Sequence, residues 1–123
     1  MDKKAEITKK QIGKNWEMFN KLHEVLMSID KNVFFRIFPI YAKYFLNDEV
    51  FAVVFYKFSS TKDNQVDLGL KFETKPLIKG IKDAKYMKDP SVNFSMLINE
   101  DNFIKNKIRI LVKESLIKNS NNE

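Results

Sequence analysis

The chain has 123 residues, 44% of them hydrophobic and 31% charged, which fits one globular domain rather than a disordered protein. It has no cysteine and one histidine, so disulfides, thiolate zinc sites, a cysteine nucleophile and a histidine metal cluster are excluded within one chain. Its formal net charge of +6 favours acidic partners such as nucleic acid, but the lysines are spread along the chain as on an ordinary solvated surface.

The first predicted element is an amphipathic helix over residues 7–30. Its apolar residues recur at spacings of three and four, which places them on one face. These residues are Ile12, Trp16, Phe19, Leu22, Leu26 and Ile29. Thr8 and Gln11 have the form of a capping box, which marks the start of the helix. His23 lies at the edge of the apolar face, and we interpret it as a boundary residue rather than a catalytic base.

Three strands follow, because the sequence becomes rich in β-branched and aromatic residues. Residues 33–38 and 40–46 are separated by Pro39, which cannot donate a hydrogen bond to a neighbouring strand. Residues 50–58 are the most apolar stretch and predict a central strand. The polar turn at residues 47–49 joins the second and third strands, so we expect them to form a hairpin.

The second half of the chain predicts two more strands and a final helix. Residues 66–72 and 92–98 alternate apolar and polar side chains, as strands with one buried face do. Residues 73–91 predict irregular structure with a short helical turn near residues 77–86. The last helix is expected to begin at Asn99, a good N-cap residue. Its predicted inward residues are Ile104, Ile108, Leu111, Val112 and Ser115.

This order of elements predicts an α+β fold. It consists of an N-terminal helix, an about five-stranded and mostly antiparallel sheet, and a C-terminal helix packed on the same face of the sheet. We expect one domain over residues 8–118, with frayed tails at residues 1–7 and 119–123. No apolar run reaches the roughly 18 residues of a membrane span. The N-terminus also lacks the apolar segment of a secretory signal, so we expect a cytoplasmic protein that does not bind membranes.

The side-chain period of two assigns the residues of each strand to one of the two faces of the sheet. We place the charged residues Arg36, Lys43 and Lys57 on the face away from the helices, the far face. Their strands add to the far face Phe34, Phe38, Tyr41, Phe45, Phe51, Val53 and Phe55. The inward residues of these strands are Val33, Phe35, Ile37, Ile40, Ala42, Tyr44, Val50, Ala52, Val54, Tyr56 and Phe58. In the last two strands they are Val66, Leu68, Leu70, Phe72, Val92, Phe94, Met96 and Ile98.

A far face this apolar rarely stays bare on a soluble monomer. Three occupants are open from the sequence: residues 73–91 or part of the last helix, closing a second small core; another protein or a second copy of the chain; or a single-stranded nucleic acid that stacks on the rings. We take the far face as the candidate surface for a ligand or partner. Its candidate residues are Arg36, Tyr41, Lys43, Phe51, Phe55, Lys57 and Lys71.

Three segments carry a family resemblance: FRIFPIYAKYF, the strand pair VFAVVF and VDLGLKF, and KYMKDPSVNFSMLINEDNFIKNKIRILVKES. Over roughly residues 11–117 the chain resembles the YdhG-like family of small domains of unknown function. The resemblance implies an α+β sheet flanked by helices, with no established catalytic residues, and some relatives are labelled iron chaperones by analogy with frataxin. Where the commoner form of the family has a glycine-rich stretch, this chain has GIKDAKYMKDP, so we expect no phosphate-binding loop there.

The sequence favours binding over catalysis. It has no paired carboxylates placed for catalysis, no glycine-rich phosphate loop and no Ser-x-x-Lys motif, and we expect no cofactor. We expect a non-enzymatic binding or interaction module that acts through the apolar far face, with itself or another protein as partner. Two alternatives stay open: accessory binding of single-stranded nucleic acid, and frataxin-like delivery of iron. Iron favours clustered carboxylates, whereas Glu6, Glu17 and Glu24 on the first helix are interleaved with lysines.

Overall fold

The computed structural model describes residues 12–57 and 64–120, together with Lys10, with side chains through Ile117. In this part of the chain the fold is α+β, as predicted, with an N-terminal helix, a C-terminal helix and one six-stranded sheet in the order β1-β2-β3-β4-β6-β5. The helices are α1 (Trp16–Met27) and α2 (Lys105–Ser120). The strands are β1 (Phe34–Ile37), β2 (Tyr41–Leu46), β3 (Glu49–Phe55), β4 (Val66–Leu70), β5 (Ile81–Asp83) and β6 (Phe94–Ile98).

All five strand pairs are antiparallel, which agrees with the predicted sheet, and the sheet has one strand more than expected. Some predictions concern residues outside the described part of the chain. These are the capping box of Thr8 and Gln11, the inward position of Phe58, the tail at residues 1–7, and residues 121–123 of the C-terminal tail, whose first two residues are still helical.

Helix α1 begins at Trp16 because Gly13 interrupts the predicted helix. Gly13 has a φ of +68°, a left-handed conformation that suits glycine, and it opens a 3₁₀ turn that runs to Asn15. The start of the helix is capped by a distant segment. The side-chain Oδ1 of Asn64 accepts a hydrogen bond from the backbone N–H of Met18 at 2.8 Å, which satisfies one of the unpaired donors of the first turn.

Strands β2 and β3 form the predicted hairpin. Their turn contains Asn47 and Asp48, whose φ angles of 54° and 64° are both left-handed. Two such residues make the turn type that matches the right-handed twist of paired strands, and asparagine and aspartate tolerate this conformation better than most residues. The polar turn seen in the sequence therefore sets the hairpin.

A β-bulge in this hairpin changes two of the predicted faces. The register passes from Tyr44 opposite Ala52 to Phe45 opposite Val50, which leaves Phe51 as an extra residue in β3. Phe51 is buried in the core beneath the helices, whereas Val50 borders a smaller core on the far face. From the sequence we expected Phe51 on the far face and Val50 inward, and both predictions are wrong because the period of two fails at the bulge.

The main core lies between the sheet and the two helices, which share one face as predicted. Its buried helix residues are Met18, Phe19, Leu22, Val25, Leu26, Ile108, Leu111 and Val112. Its buried strand-side residues are Val33, Ala42, Tyr44, Phe51, Ala52, Val54, Tyr56, Val66, Leu68, Leu70, Phe72, Ile81, Met96 and Ile98. Ile40 and Ile104 were also predicted to point inward and do not: Ile40 is 44% exposed because it lies in the bend before β2, and Ile104 is 46% exposed because it precedes α2.

Residues 73–91 include a strand that the sequence did not indicate. Strand β5 has three residues and pairs with β6 at the edge of the sheet. Three residues are too few for a recognisable period, and the helical turn expected near residues 77–86 is instead a 3₁₀ turn at Lys85–Met87. Val92 was expected to point inward in the last strand, but that strand begins at Phe94 and Val92 packs on the far face.

Helix α2 begins at Lys105, later than predicted. Asn99 starts a turn instead: its side-chain Oδ1 accepts hydrogen bonds from the backbone N–H groups of Asp101 at 3.0 Å and Asn102 at 3.1 Å. Asparagine serves equally well at a turn and at a helix start, so its presence alone did not distinguish the two. Within the described residues, neither helix combines the length and the apolar content that crossing a membrane requires.

Candidate functional site

Part of the far face is covered by residues 84–92, which we call the cover. The side chains of Ala84, Met87 and Val92 pack against Val53 of β3 and form a second, smaller core. Of the three occupants left open by the sequence, the structure therefore has the first, a folded-back part of residues 73–91. The partly buried side chains at the border of this second core are Tyr41, Val50 and Phe55.

The cover comes closest to the sheet at Gly69 of β4. A Cβ atom at this position would lie 2.7 Å from Sδ of Met87 and 3.2 Å from Cγ2 of Val92. Side chains do not approach each other this closely, so the absence of a side chain at Gly69 lets the cover dock. The glycine inside an alternating strand was the only sequence signal of this close approach, and the sequence analysis treated it simply as an outward position.

Beyond the cover, strands β1 to β3 carry a row of rings and cations that we call the aromatic strip. Its members are Phe34, Arg36, Phe38, Tyr41, Lys43, Phe45 and Phe55. Phe34 and Phe45 are opposite each other in the register, with ring centroids 4.8 Å apart and planes 6° from parallel. The centroid of Tyr41 lies 4.9 Å from that of Phe38 and 5.1 Å from that of Phe55, and these planes are 20° and 19° from parallel.

The two cations of the aromatic strip are bound differently. The guanidinium of Arg36 lies 5.8 Å from the ring centroid of Phe45, and among the described residues it has no carboxylate within ion-pair distance. The Nζ atom of Lys43 lies 3.1 Å from Oδ2 of Asp89 in the cover and 5.7 Å from the ring centroid of Phe38. Lys43 therefore ties the strip to the cover, while the charge of Arg36 remains available at the surface.

Asp89 is held in its ionised form. Burial acts to raise the pKa of this carboxyl group, but hydrogen bonds from Ser91 and from Lys43 outweigh it, so the pKa lies below its ordinary value. The backbone N–H of Ser91 donates to Oδ1 of Asp89 at 2.9 Å. The ion pair between Lys43 and Asp89 is therefore intact at neutral pH.

The structure brings together four of the seven candidate residues from the sequence. The aromatic strip contains Arg36, Tyr41, Lys43 and Phe55. Phe51 is not among them, because the bulge turns it into the main core. Lys57 and Lys71 are exposed just beyond the ends of β3 and β4, outside the regular alternation. Lys71 donates a hydrogen bond to the carbonyl oxygen of Pro90 at 3.4 Å.

Two open grooves lie near these elements. The larger, of about 790 Å³, separates the turn of the β2–β3 hairpin from Lys71 and from Leu116 of α2. The smaller, of about 420 Å³, lies beside the start of α1 and is lined by Lys10, Lys14 and Lys57 among others. Of the described side chains that have a buried polar atom without a partner, none lines either groove. We assign a ligand to neither of them.

A polar cluster that the sequence analysis did not identify joins the cover to the sheet. The hydroxyl of Tyr86 donates a hydrogen bond to Oδ2 of Asp67 in β4 and lies 2.6 Å from Oγ of Ser95 in β6. The Nζ atom of Lys82 lies 3.6 Å from the same Oδ2. Burial, followed by the bond to Asp67, raises the pKa of Tyr86, so its phenol keeps its proton and does not act as a general base. The cluster joins the cover and β5 to strands β4 and β6.

His23 is half-buried rather than a surface residue. Its Nδ1 atom lies 2.7 Å from the hydroxyl of Tyr44, and its ring lies 4.5 Å from that of Phe35. Burial lowers the pKa of His23, opposed in part by the nearby carboxylate of Glu24. The histidine is packed against the aromatic part of the main core while keeping some exposure, which agrees with its interpretation as a boundary residue.

The lowered pKa of His23 predicts a loss of stability in mild acid. Because the unfolded chain binds a proton at a higher pH than the folded protein does, the free energy of unfolding should fall as the pH drops below about 6.5. Urea unfolding at about pH 7.5 and about pH 5.5 would measure this slope. His23→Gln, which does not titrate, should show a smaller difference between the two conditions, and an equal difference would contradict the assignment.

Neither metal ligands nor similar proteins indicate a function for this chain. Within the described residues, no three His, Asp or Glu side chains come together as metal ligands, and we make no proposal about iron. No family model matches the chain, and no curated protein or solved structure matches it either. The resemblance to the YdhG-like family therefore stays a prediction from the sequence, and function has to be argued from the surface itself.

Proposed function

We propose that the protein is a non-enzymatic interaction module that binds an acidic protein partner through the aromatic strip. The observation that carries the proposal is the row of stacked rings on β1 to β3, with the cation Arg36 beside it and Phe34 41% exposed at its end. Aromatic residues and arginine are enriched at the centres of protein interfaces. The cover leaves this part of the far face open, which makes it the accessible remainder of the predicted surface.

The orientation of the rings supports a protein partner with oxygen-rich side chains. Two nearly parallel rings with centroids about 5 Å apart are stacked with an offset, because rings lying side by side in one plane would collide at that separation. The rings of the strip therefore stand on edge and present their rims outward. The rim of an aromatic ring carries partial positive charge, so rims and cations together favour carboxylates and carbonyl oxygens.

The charges of the strip argue against self-association through this surface. Two copies placed face to face would bring Arg36 of each copy towards a surface of the same sign, and like charges at an interface are unfavourable. The net charge of +6 adds to this repulsion. Of the partners expected from the sequence, another protein with acidic residues fits the strip better than a second copy of the chain.

The same ring geometry disfavours the nucleic-acid alternative. Bases bind single-strand platforms by stacking on open ring faces. In the strip, Tyr41 has a stacked ring neighbour on either side, and Phe34, Phe45 and Phe55 each have one face stacked on a neighbouring ring. A single strand could then contact only the outer faces at the ends of the row, so charge attraction alone would have to hold it.

Titration of the full protein by NMR tests the proposal. The probes are a short synthetic peptide that alternates glutamate with leucine and a single-stranded oligothymidylate, both at low salt. We expect the peptide to shift the amide signals of β1 and β2, and we expect Arg36→Gln to weaken its binding roughly fivefold. Lys107→Gln removes the same charge from the exposed surface of α2, on the other side of the sheet, and should leave binding unchanged.

Each of four outcomes would overturn the proposal. The peptide could fail to bind, or its signal shifts could map outside the aromatic strip. Oligothymidylate could bind while the peptide does not, with an affinity that falls steeply with salt, which would favour nucleic acid as the partner. If Arg36→Gln and Lys107→Gln weakened peptide binding equally, the peptide would be attracted by the net charge of the protein, and the strip would have no specific role.

A further inference from the structure

The cover is attached to the sheet by a small apolar contact and several polar ones. Its buried apolar side chains are those of Ala84, Met87 and Val92. The backbone N–H of Ala84 donates to the carbonyl oxygen of Asn93 at 3.1 Å, and the three-residue strand β5 joins it to β6. Segments with few buried apolar contacts open at a lower free energy than the core of the same protein.

Asp67 makes interactions that favour both the closed and the open position of the cover. It is only 3% exposed, and its Oδ2 atom accepts the hydrogen bond from Tyr86, while Oδ1 is buried without a hydrogen-bond partner among the described residues. A buried carboxylate is costly unless its oxygens are satisfied. Lifting the cover would let water reach both oxygens. The hydration of Asp67 therefore favours the open state, while the bond to Tyr86 favours the closed one.

Tyr86 is the group that decides this balance. Its hydroxyl donates to Asp67, so the hydrogen bond with Ser95 at 2.6 Å has Oγ of Ser95 as the donor. Ser95 is 1% exposed and lies in β6, so the phenol joins the cover to two strands of the sheet at once. The Nζ atom of Lys82 lies 5.1 Å from the centroid of the Tyr86 ring and holds the ring from its solvent side.

The segment before β5 is loosely attached to the rest of the fold. Gly80 has a φ of +92°, and no strand or helix is present over residues 73–80. Leu77 in this segment is fully exposed, and Ile78 is 42% exposed, so neither side chain anchors the segment to the core. Strand β5 lies between this segment and the cover and stays paired with β6, so the cover lifts from its anchor at β5.

We infer that residues 84–92 are a displaceable cover, and that the hydrogen bond from Tyr86 to Asp67 is its latch. When the cover lifts, Val53 and the surface of β4 around Gly69 become accessible next to Phe55, which enlarges the apolar surface of the far face. This conformational device does not depend on the nature of any partner, so it stands or falls separately from the proposed function.

Hydrogen exchange of the full protein tests the latch without a ligand. The reporters in the cover are the amides of Met87, Lys88 and Val92, which donate to backbone carbonyls within it. Because turns this short are not stable in water without tertiary contacts, the lifted cover loses these bonds and the amides exchange. We expect these amides to exchange faster than those of β2 and β3 in the unmodified protein. Tyr86→Phe should accelerate them further, by about tenfold for the loss of a bond to a charged group, while the amides of β2 and β3 keep their rates.

Tyr41→Phe is the matched control. It removes a phenol hydroxyl from the same face of the sheet, and among the described residues that hydroxyl makes no hydrogen bond to the cover, so the exchange of the cover should not change. Equal exchange rates in the cover and in β2 and β3 would show that the cover opens only with global unfolding and would overturn the inference. Unchanged cover exchange in Tyr86→Phe would also overturn it, because Tyr86 would then not be the latch.

Discussion

Replacing Asn15 with alanine is expected to lower the free energy of unfolding by about 3 kcal/mol. The side chain of Asn15 is 5% exposed and joins two segments: Nδ2 donates to the carbonyl oxygen of Tyr56 at 2.6 Å, and Oδ1 accepts from the backbone N–H of Gln65 at 2.9 Å. Alanine would remove the bonds that Asn15 makes to two buried backbone groups, and the loss of a partner at a buried polar group costs about 1–3 kcal/mol. The two losses should therefore combine.

Denaturant unfolding of Asn15→Ala, with thermal unfolding as a second measurement, checks this value, and a loss of about 3 kcal/mol corresponds to a midpoint lower by roughly 10 °C. Asn106→Ala is the matched control, because Asn106 is exposed on α2 and alanine is the better helix former. We expect the control to keep its stability or to gain slightly. A loss for Asn15→Ala no larger than that of the control would contradict the bridging role of Asn15.

Replacing Gly69 with valine is expected to cost about 2 kcal/mol, because overpacking costs about 1–3 kcal/mol while the strand propensity of valine returns less than about 1 kcal/mol. The new Cβ would lie 2.7 Å from Sδ of Met87 and 3.2 Å from Cγ2 of Val92. Methionine can move aside, but the branched side chain of Val92 has little freedom. If the strain were too large, the cover would detach from the sheet. The loss of stability caused by valine therefore cannot exceed the free energy with which the cover docks.

A double-mutant cycle identifies the cause of this loss. In a Met87→Ala background, the nearest clash is absent, so Gly69→Val should cost less than it does in the unmodified protein. Urea unfolding of the four proteins gives the interaction energy directly. If Gly69→Val lowered the free energy of unfolding equally in both backgrounds, the close contact with Met87 would not be the reason that β4 has glycine at this position.

Much of the fold could be predicted because local patterns and tertiary packing agree over most of the chain. Pro39 separated β1 from β2, and the polar turn at residues 47–49 specified the hairpin. The departures arise where the backbone breaks its own period. The bulge at Phe51 adds one residue to β3 without any change in composition. Gly13 adopts a left-handed conformation, so the regular helix begins after it rather than running through it. Strand β5 is held by its pairing with β6 rather than by its own sequence.

The candidate site could be predicted in part, for a comparable reason. The charges of Arg36 and Lys43 correctly marked the far face, because a strand cannot turn a lysine or arginine towards the helices at low cost. The partner of Lys43 is Asp89 in the cover, and the partner of Asp67 is Tyr86, 19 positions away along the chain. No pattern of neighbouring residues in the sequence indicates such contacts between distant segments. From the sequence, the cover was therefore only one of three possible occupants of the far face.

The cap that Asn64 supplies to α1 has a consequence for the order of folding. It joins residues 46 positions apart, whereas a twelve-residue helix is marginal on its own in water. Closing a loop of that length costs entropy before its contacts form, so distant contacts tend to be made late. The N-terminal boundary of α1 should therefore become fixed only once β4 has joined the sheet, which makes helix completion a late event rather than a nucleus.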